Sequence, residues 1–280
     1  MKNNPKKVIK TTTTTTVTEE IVEAKLVETH YLLIVDESGS MAGLRNQTIN
    51  NINEQIQIVR ALEKKYTDQK YFISLITFNT EVKERYMNIP VLEMKEVSAS
   101  DYNPDGGTAL RDAMGIGITR LEDKLRPSME DHSKIVTAVV VIITDGEENA
   151  SSQWSAEKTK TLVERMNKDD KWTISYIGAN QNAILTGSQY GVYAGNSINY
   201  VSTAAGTRGL ANTLAYTMSS RASTINLGGY SFIGGGLSNS SFMDSQGTSI
   251  QESTTSGPID IDKIINQTDP KDDTTTEDTK

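Results

Sequence analysis

Two apolar runs, each ending abruptly in a carboxylate, constrain this chain more than any other feature. Residues 31–35 read Tyr-Leu-Leu-Ile-Val and lead into Asp36, Glu37, Ser38, Gly39 and Ser40. Residues 135–143, aliphatic but for Thr137, lead into Thr144, Asp145 and Gly146. Runs of this length and composition read as buried strands. In open α/β sheets ligands bind beyond the carboxyl ends of the strands. If the two strands are neighbours at a topological switch point, Asp36 and Asp145 face one crevice.

The rest of the chain alternates in kind. Ile49, Ile52, Ile56, Val59 and Leu62 recur at helical spacing and predict a helix over 44–65. A strand is expected over 71–78 and an antiparallel edge strand over 81–91, ending near Pro90. A helix over 109–125, the strand over 135–144, a helix over 156–167 and a strand over 172–177 come next. A last helix-strand-helix closes the series, with its strand at 198–201 and its final helix over 207–221. Strands alternating with helices predict an α/β fold: a mostly parallel central sheet of about six strands, one antiparallel edge strand, and helices on both faces.

Three parts are expected. Residues 1–27 form a Thr-rich N-terminal extension, whose second half is either a strand or a short helix. Residues 28–221 form the domain. Residues 222–280 form a flexible Gly/Ser/Thr/Asp-rich tail with two apolar islands, 230–233 and 259–265.

The oxygens at the strand ends suggest a metal. Asp36, Ser38 and Ser40 stand on alternate residues of a loop. Thr108 follows Gly106 and Gly107, whose freedom lets a helix start approach a ligand closely. A carboxylate grouped with neutral hydroxyls suits a hard cation such as Mg2+ and suits zinc or copper poorly. By itself Asp-x-Ser-x-Ser is as much a turn motif as a site; three such segments in order are a different matter. Glu147 and Glu148 read as solvated acids at a helix start, and Glu37 as a rim charge.

In order and spacing, Asp36-x-Ser38-x-Ser40, Thr108 and Asp145 resemble the metal-ion-dependent adhesion site of von Willebrand factor A (vWA) domains. Residues 77–80, 106–115, 143–151 and 176–183 are similar to a single-domain bacterial and phage branch of that family. The resemblance implies a Rossmann-like sheet and one divalent cation, Mg2+ first, with Mn2+ or Ca2+ as alternatives. It implies that Ser38 and Ser40 coordinate directly, Thr108 directly or through water, and Asp36 and Asp145 through water. It also implies partner binding rather than turnover: a metal-dependent interaction module whose protein partner offers an Asp or Glu, an AAA+ ATPase among the candidates. The alternative is a structural component of a multiprotein assembly, such as a phage virion, with the tails making subunit contacts.

Other chemistry falls away. There is no Gly-x-x-x-x-Gly-Lys-Ser/Thr loop, and Gly115 and Gly117 lie inside a helical pattern, where packing explains them. No Gly-x-Ser-x-Gly elbow surrounds a serine. His30, expected to open the first strand, and His132, in a polar loop, are too few for a zinc cluster. No enzyme is expected. The net charge of -8 is uneven, since residues 222–280 hold nine acids against three lysines. Nothing basic is concentrated enough to neutralise phosphates, so nucleic acid is not an expected partner. The absence of cysteine leaves no disulfides and favours a reducing compartment. With no apolar h-region and no membrane-length run, the expected location is the cytoplasm, or the virion if the chain is phage-encoded.

Overall fold

The computed structural model describes residues 6–13, 16–23, 25–179, 181–201, 203–226, 263 and 266. In chain order these form β1 (Lys6–Thr13), β2 (Thr16–Glu23), β3 (Leu26–Asp36), α1 (Arg45–Lys65), β4 (Gln69–Phe78), β5 (Val82–Pro90) and α2 (Leu110–Glu130). Then come β6 (Lys134–Thr144), α3 (Ala156–Asn167), β7 (Trp172–Ala179), α4 (Ala183–Gln189), β8 (Ser197–Tyr200) and α5 (Ala204–Asn226).

The two apolar runs become the two middle strands of a six-stranded sheet ordered β5-β4-β3-β6-β7-β8. All its pairs are parallel except β4 with β5. From β3 the chain steps outward to β4 and β5, then returns to the other side of β3 as β6 and moves outward again. That reversal is a topological switch point, and it opens a crevice between the carboxyl ends of β3 and β6.

A parallel sheet must be covered on both faces, and alternate residues of β3 divide accordingly. Leu33 and Val35 join Val139, Val141 and Ile143 of β6 under α1 and α5, which contribute Ile52, Ile56, Val59, Leu210, Leu214 and Met218. Leu32 and Ile34 join Val140, Ile142 and Ile174 under α2, α3 and α4, which contribute Met114, Ile118, Leu121, Val163, Met166 and Ala183. Gly115 and Gly117 are packing residues, as their helical setting implies. A Cβ on Gly115 would lie 2.0 Å from Trp154 Cδ2, and one on Gly117 2.9 Å from Ile76 Cδ1.

Several boundaries differ from expectation. α2 continues to Glu130 past Pro127, a residue that in a sequence reads as the end of a helix, and Met129 packs partly buried against the core. α5 continues to Asn226, with Ala222 and Ile225 buried. Residues 16–23 resolve as strand β2, paired antiparallel with β1 in a separate two-stranded sheet. The apolar islands of the tail, apart from Lys263, lie outside the described residues; Asn266 accepts a hydrogen bond from Lys65 Nζ at 3.4 Å. No helix among the described residues is long and apolar enough to cross a membrane.

His30 does not open its strand. It lies five residues into β3, buried, stacked on Phe72 with ring centroids 4.7 Å apart and 2.7 Å from Asn88 Oδ1 through Nδ1. Beside it, at the end of the sheet opposite the crevice, stands Glu28. His30 at 3.8 Å, then Lys134 at 2.7 Å, hold the Glu28 carboxyl down to about 2 against the upward pull of burial.

Two outcomes follow. Gly115→Ala should destabilise the fold by about 1–3 kcal/mol through overpacking against Trp154, although Ala is ordinarily better than Gly in a helix by about 0.5–1 kcal/mol. Combining it with Trp154→Ala should recover most of the loss relative to Trp154→Ala alone, read as thermal midpoints. Because the folded-state pKa of Glu28 is depressed, its contribution is complete above about pH 4.5 and is lost as pH falls toward 2. Glu28→Gln should therefore flatten the dependence of the urea midpoint on pH across that window, and an unaltered slope would contradict the role given to Glu28.

Candidate metal centre

Each predicted site residue stands at an end that the sheet brings together. Asp36 is the last residue of β3, Ser38 and Ser40 lie on the turn before α1, Thr108 stands two residues before α2, and Asp145 follows β6. Asp36, Ser38 and Thr108 are buried, whereas Ser40 is exposed and Asp145 half-buried, so the group opens on the Ser40 and Asp145 side.

Hydrogen bonds order four of the five. Ser40 Oγ donates to Asp145 Oδ1 at 2.6 Å, and Ser38 Oγ lies 3.0 Å from Ser40 Oγ. An ionised carboxylate only accepts, so the single Ser40 proton points at Asp145 and the Ser38 proton points at Ser40. Both serines then keep oxygen lone pairs free of protons. Asp36 receives Ser38 N–H on Oδ1 at 2.8 Å and the Thr144 hydroxyl on Oδ2 at 2.6 Å. Burial pushes the Asp36 carboxyl up, with Ser38 and Thr144 opposing it by hydrogen bonds. Tyr102 also donates its hydroxyl to the Asp36 carbonyl.

Gly146 joins Thr108 to this group. A Cβ on Gly146 would lie 3.2 Å from Thr108 Oγ1, 3.3 Å from Ser40 Oγ and 3.7 Å from Asp36 Oδ2. Three oxygens therefore converge beside Gly146, and a Cβ there would crowd two of them. The donors are all oxygen, three hydroxyls and two carboxylates, and fit a hard divalent cation. Among the described residues no three His, Cys, Asp or Glu gather as a metal cluster.

Thr108 is held from behind by residues that sequence reasoning left without a role. Thr108 N–H donates to Asn149 Oδ1 at 2.8 Å, and the Thr108 carbonyl accepts from Asn149 and Ala150 N–H at 3.1 and 3.2 Å. On the other side Gly107 N–H donates to Thr80 Oγ1 at 2.9 Å, Ala109 N–H to the Asn79 carbonyl at 2.7 Å, and Gly39 N–H to the Gly106 carbonyl at 3.1 Å. Gly106 takes φ of 73°, a conformation that favours glycine.

Two readings of acidic residues need correction. Glu148 opens no helix of its own, for α3 begins at Ala156. Instead its carboxylate accepts Arg111 N–H at 2.9 Å near the start of α2, together with Ala150 and Ser151 N–H. Asp112 adds to this, accepting the backbone N–H groups of Ser152, Gln153 and Trp154 at 2.9, 3.0 and 2.7 Å. Glu147, in contrast, is exposed. Nor is Glu37 a rim charge. It is buried, receives Asn103 N–H at 2.7 Å, and lies 3.2 Å from Arg85 and 3.5 Å from Lys83. Burial raises its pKa, but Asn103, Thr77, Lys83 and Arg85 together bring it below the usual carboxylate range.

The strand order and the two helix layers define a Rossmann-like α/β domain, the class that the vWA resemblance implies. No family model matches the chain and no curated protein matches it. Among solved structures it is similar to a von Willebrand factor type A protein from Catenulispora acidiphila, at 15% identity and TM-score 0.45, covering 71% of this chain and 43% of that one. It is also similar to the SpRpn10 VWA domain, at 12% identity and TM-score 0.46, covering 65% of this chain and 93% of that one. A third is proximal thread matrix protein 1 from the mussel byssus with a zinc-occupied MIDAS motif, at 15% identity and TM-score 0.42, covering 67% and 44%. The chain thus spans less than half of the Catenulispora and byssus chains. With these three scores below 0.5, the fold rests on the strand order and the site on its own hydrogen bonds.

Asp112→Ala would strip acceptors from three backbone donors, at about 1–3 kcal/mol for each donor left buried and unpaired. The variant should lose several °C of thermal midpoint and become sensitive to proteolysis between residues 147 and 155 ahead of the sheet. Resistance of that segment equal to wild type would show that Asp112 does not hold it.

Proposed function

We propose that the crevice above β3 and β6 holds a divalent cation through which this chain binds an acidic residue of a partner protein. In this reading the chain is an interaction module and not an enzyme. The observation that carries it is the hydroxyl relay from Ser38 through Ser40 to Asp145 beside the space under Gly146. It leaves neutral oxygens presented with their protons turned away. Ser38, Ser40 and Thr108 would hold the cation. Asp36, with both oxygens already engaged by Ser38 and Thr144, would balance charge from behind, and Asp145 would orient Ser40. Mg2+ is the first candidate, with Mn2+ and Ca2+ sharing its preference for oxygen. A cation held mostly by neutral ligands keeps much of its charge and supplies the attraction for a carboxylate.

The acids next to the site other than exposed Glu147 support binding over catalysis, because Glu37, Glu148 and Asp112 are each occupied. Glu37 is tied to Arg85, Lys83 and Asn103, Glu148 to the start of α2, and Asp112 to the loop it caps. None is left as a positioned general base. His30 lies at the other end of the sheet. Partners to try first are an AAA+ ATPase and, if the chain is phage-encoded, virion proteins.

Binding to the native state alone adds about 2.7 kcal/mol at a ligand concentration 100 times Kd. The thermal midpoint should therefore rise with Mg2+ or Mn2+. Ser38→Ala combined with Asp145→Ala should abolish that rise, and Asp36→Ala should weaken metal affinity by roughly 10- to 100-fold. A metal response intact in the double variant would overturn the site. Capture of a partner should be lost in EDTA, return with Mg2+, and fall sharply in Thr108→Ala; capture indifferent to EDTA would overturn the metal-bridged mechanism.

A further inference from the structure

The β1–β2 hairpin forms a sheet of its own, and neither strand pairs with any other strand among the described residues. An isolated two-stranded hairpin is marginal in water, and three or more strands are the usual requirement for independent stability. The two strands also differ in charge. β1 carries Lys6, Lys7 and Lys10 and no acid; β2 carries Glu19, Glu20 and Glu23 and no base. The ladder sets them against each other, with Lys6 opposite Glu23 and Lys10 opposite Glu19, and Val8 opposite Ile21 between those pairs. Among the described residues the hairpin therefore has one basic edge strand and one acidic edge strand.

From this segregation we infer that the hairpin is an assembly strap whose occupant is a second copy of the chain, joined edge to edge with β1 of one copy against β2 of the next. Translating one hairpin beside another keeps that junction antiparallel, so the intermolecular ladder can repeat the internal register and its Lys–Glu oppositions. The two-fold alternatives are disfavoured. β2 against β2 in full antiparallel register sets Glu19 opposite Glu20, and like charges opposed in a ladder destabilise it; β1 against β1 gathers the lysines of both copies with no acid to offset them. A head-to-tail contact does not stop at two copies; it closes into a ring or extends. Edge charges usually serve to keep edges apart. Here opposite signs on the two strands disfavour like pairing and favour unlike pairing. The inference is independent of the metal site.

The test is the mass of the full chain by sedimentation or light scattering, across protein concentration and ionic strength. The expected result is assembly beyond a dimer at low salt, receding toward the 30.7 kDa monomer as salt screens the junction. A second arm exchanges the charges, Lys6, Lys7 and Lys10→Glu with Glu19, Glu20 and Glu23→Lys, which preserves complementarity inside the hairpin. The exchanged chain should assemble with itself but not with wild type, because mixed junctions oppose like charges. Val8→Pro with Ile21→Pro should give monomer with an unchanged core melt. A wild-type monomer under all conditions, a dimer that goes no further, free mixing of the two charge forms, or assembly surviving the proline pair would each overturn the inference.

Discussion

The parallel pairing of β3 with β6 is the constraint on which the rest of this molecule depends. Its register sets Val35 beside Ile143, so both strands end at the same level. The Thr144 hydroxyl then reaches Asp36 at 2.6 Å, and Asp145 accepts a hydrogen bond from the Ser40 hydroxyl at 2.6 Å. Slipping a strand by one residue would exchange its two faces, moving Leu33 and Val35 from the α1–α5 layer to the α2 layer. The apolar alternation that packs the sheet is therefore also what aligns the oxygens. Core and site share one register.

Around that axis, buried carboxylates organise the loops. An unpaired charge in the interior costs several kcal/mol, and each buried acid here meets that cost by gathering backbone donors or cations. Asp112 binds three consecutive N–H groups of the segment after β6, Glu148 binds one near the start of α2, and Glu37 joins the β3 turn to Lys83 and Arg85 of β5. The loops on both sides of the crevice are thus fastened to rigid elements. Thr108, clamped by Asn149 and by the Thr80–Gly107 contact, takes its position from them. The proposed function relies on this shell, since hydroxyl ligands bind weakly one at a time and matter only when held convergent.

The fold was largely legible because its signals are long and apolar. The runs at 31–35 and 135–143, the helical spacing from Ile49 to Leu62, and the 156–167 helix each appear where periodicity puts them. Boundaries slipped where a local breaker is overridden, as at Pro127 inside α2, whose last turn is held by Met129 against the core. All five candidate ligands, Asp36, Ser38, Ser40, Thr108 and Asp145, were nameable from motif order. The residues that hold them were less so: Asn149, Thr80, Asp112 and Thr144 lie within the same motif stretches, but nothing in a single sequence distinguishes a polar residue that caps a distant backbone from one that faces water. Glu37 and Glu148 show the cost of that blindness, for both read as surface acids and both are tied into the fold.

What the sequence determined by itself is local: strand and helix type from periodicity, the kind of atom offered at each strand end, and the opposite charges of β1 and β2. These depend on residues near one another in the chain, where spacing translates directly into geometry. The tertiary structure decided the rest. The strand order brings residues 36 and 145 to one crevice, three oxygens converge beside Gly146, and backbone donors met across the fold turn Glu37, Asp112 and Glu148 into fasteners. The physical reason is that desolvation and hydrogen-bond partnership are properties of where chain segments meet, and at the site those meetings span 105 and 108 residues of sequence.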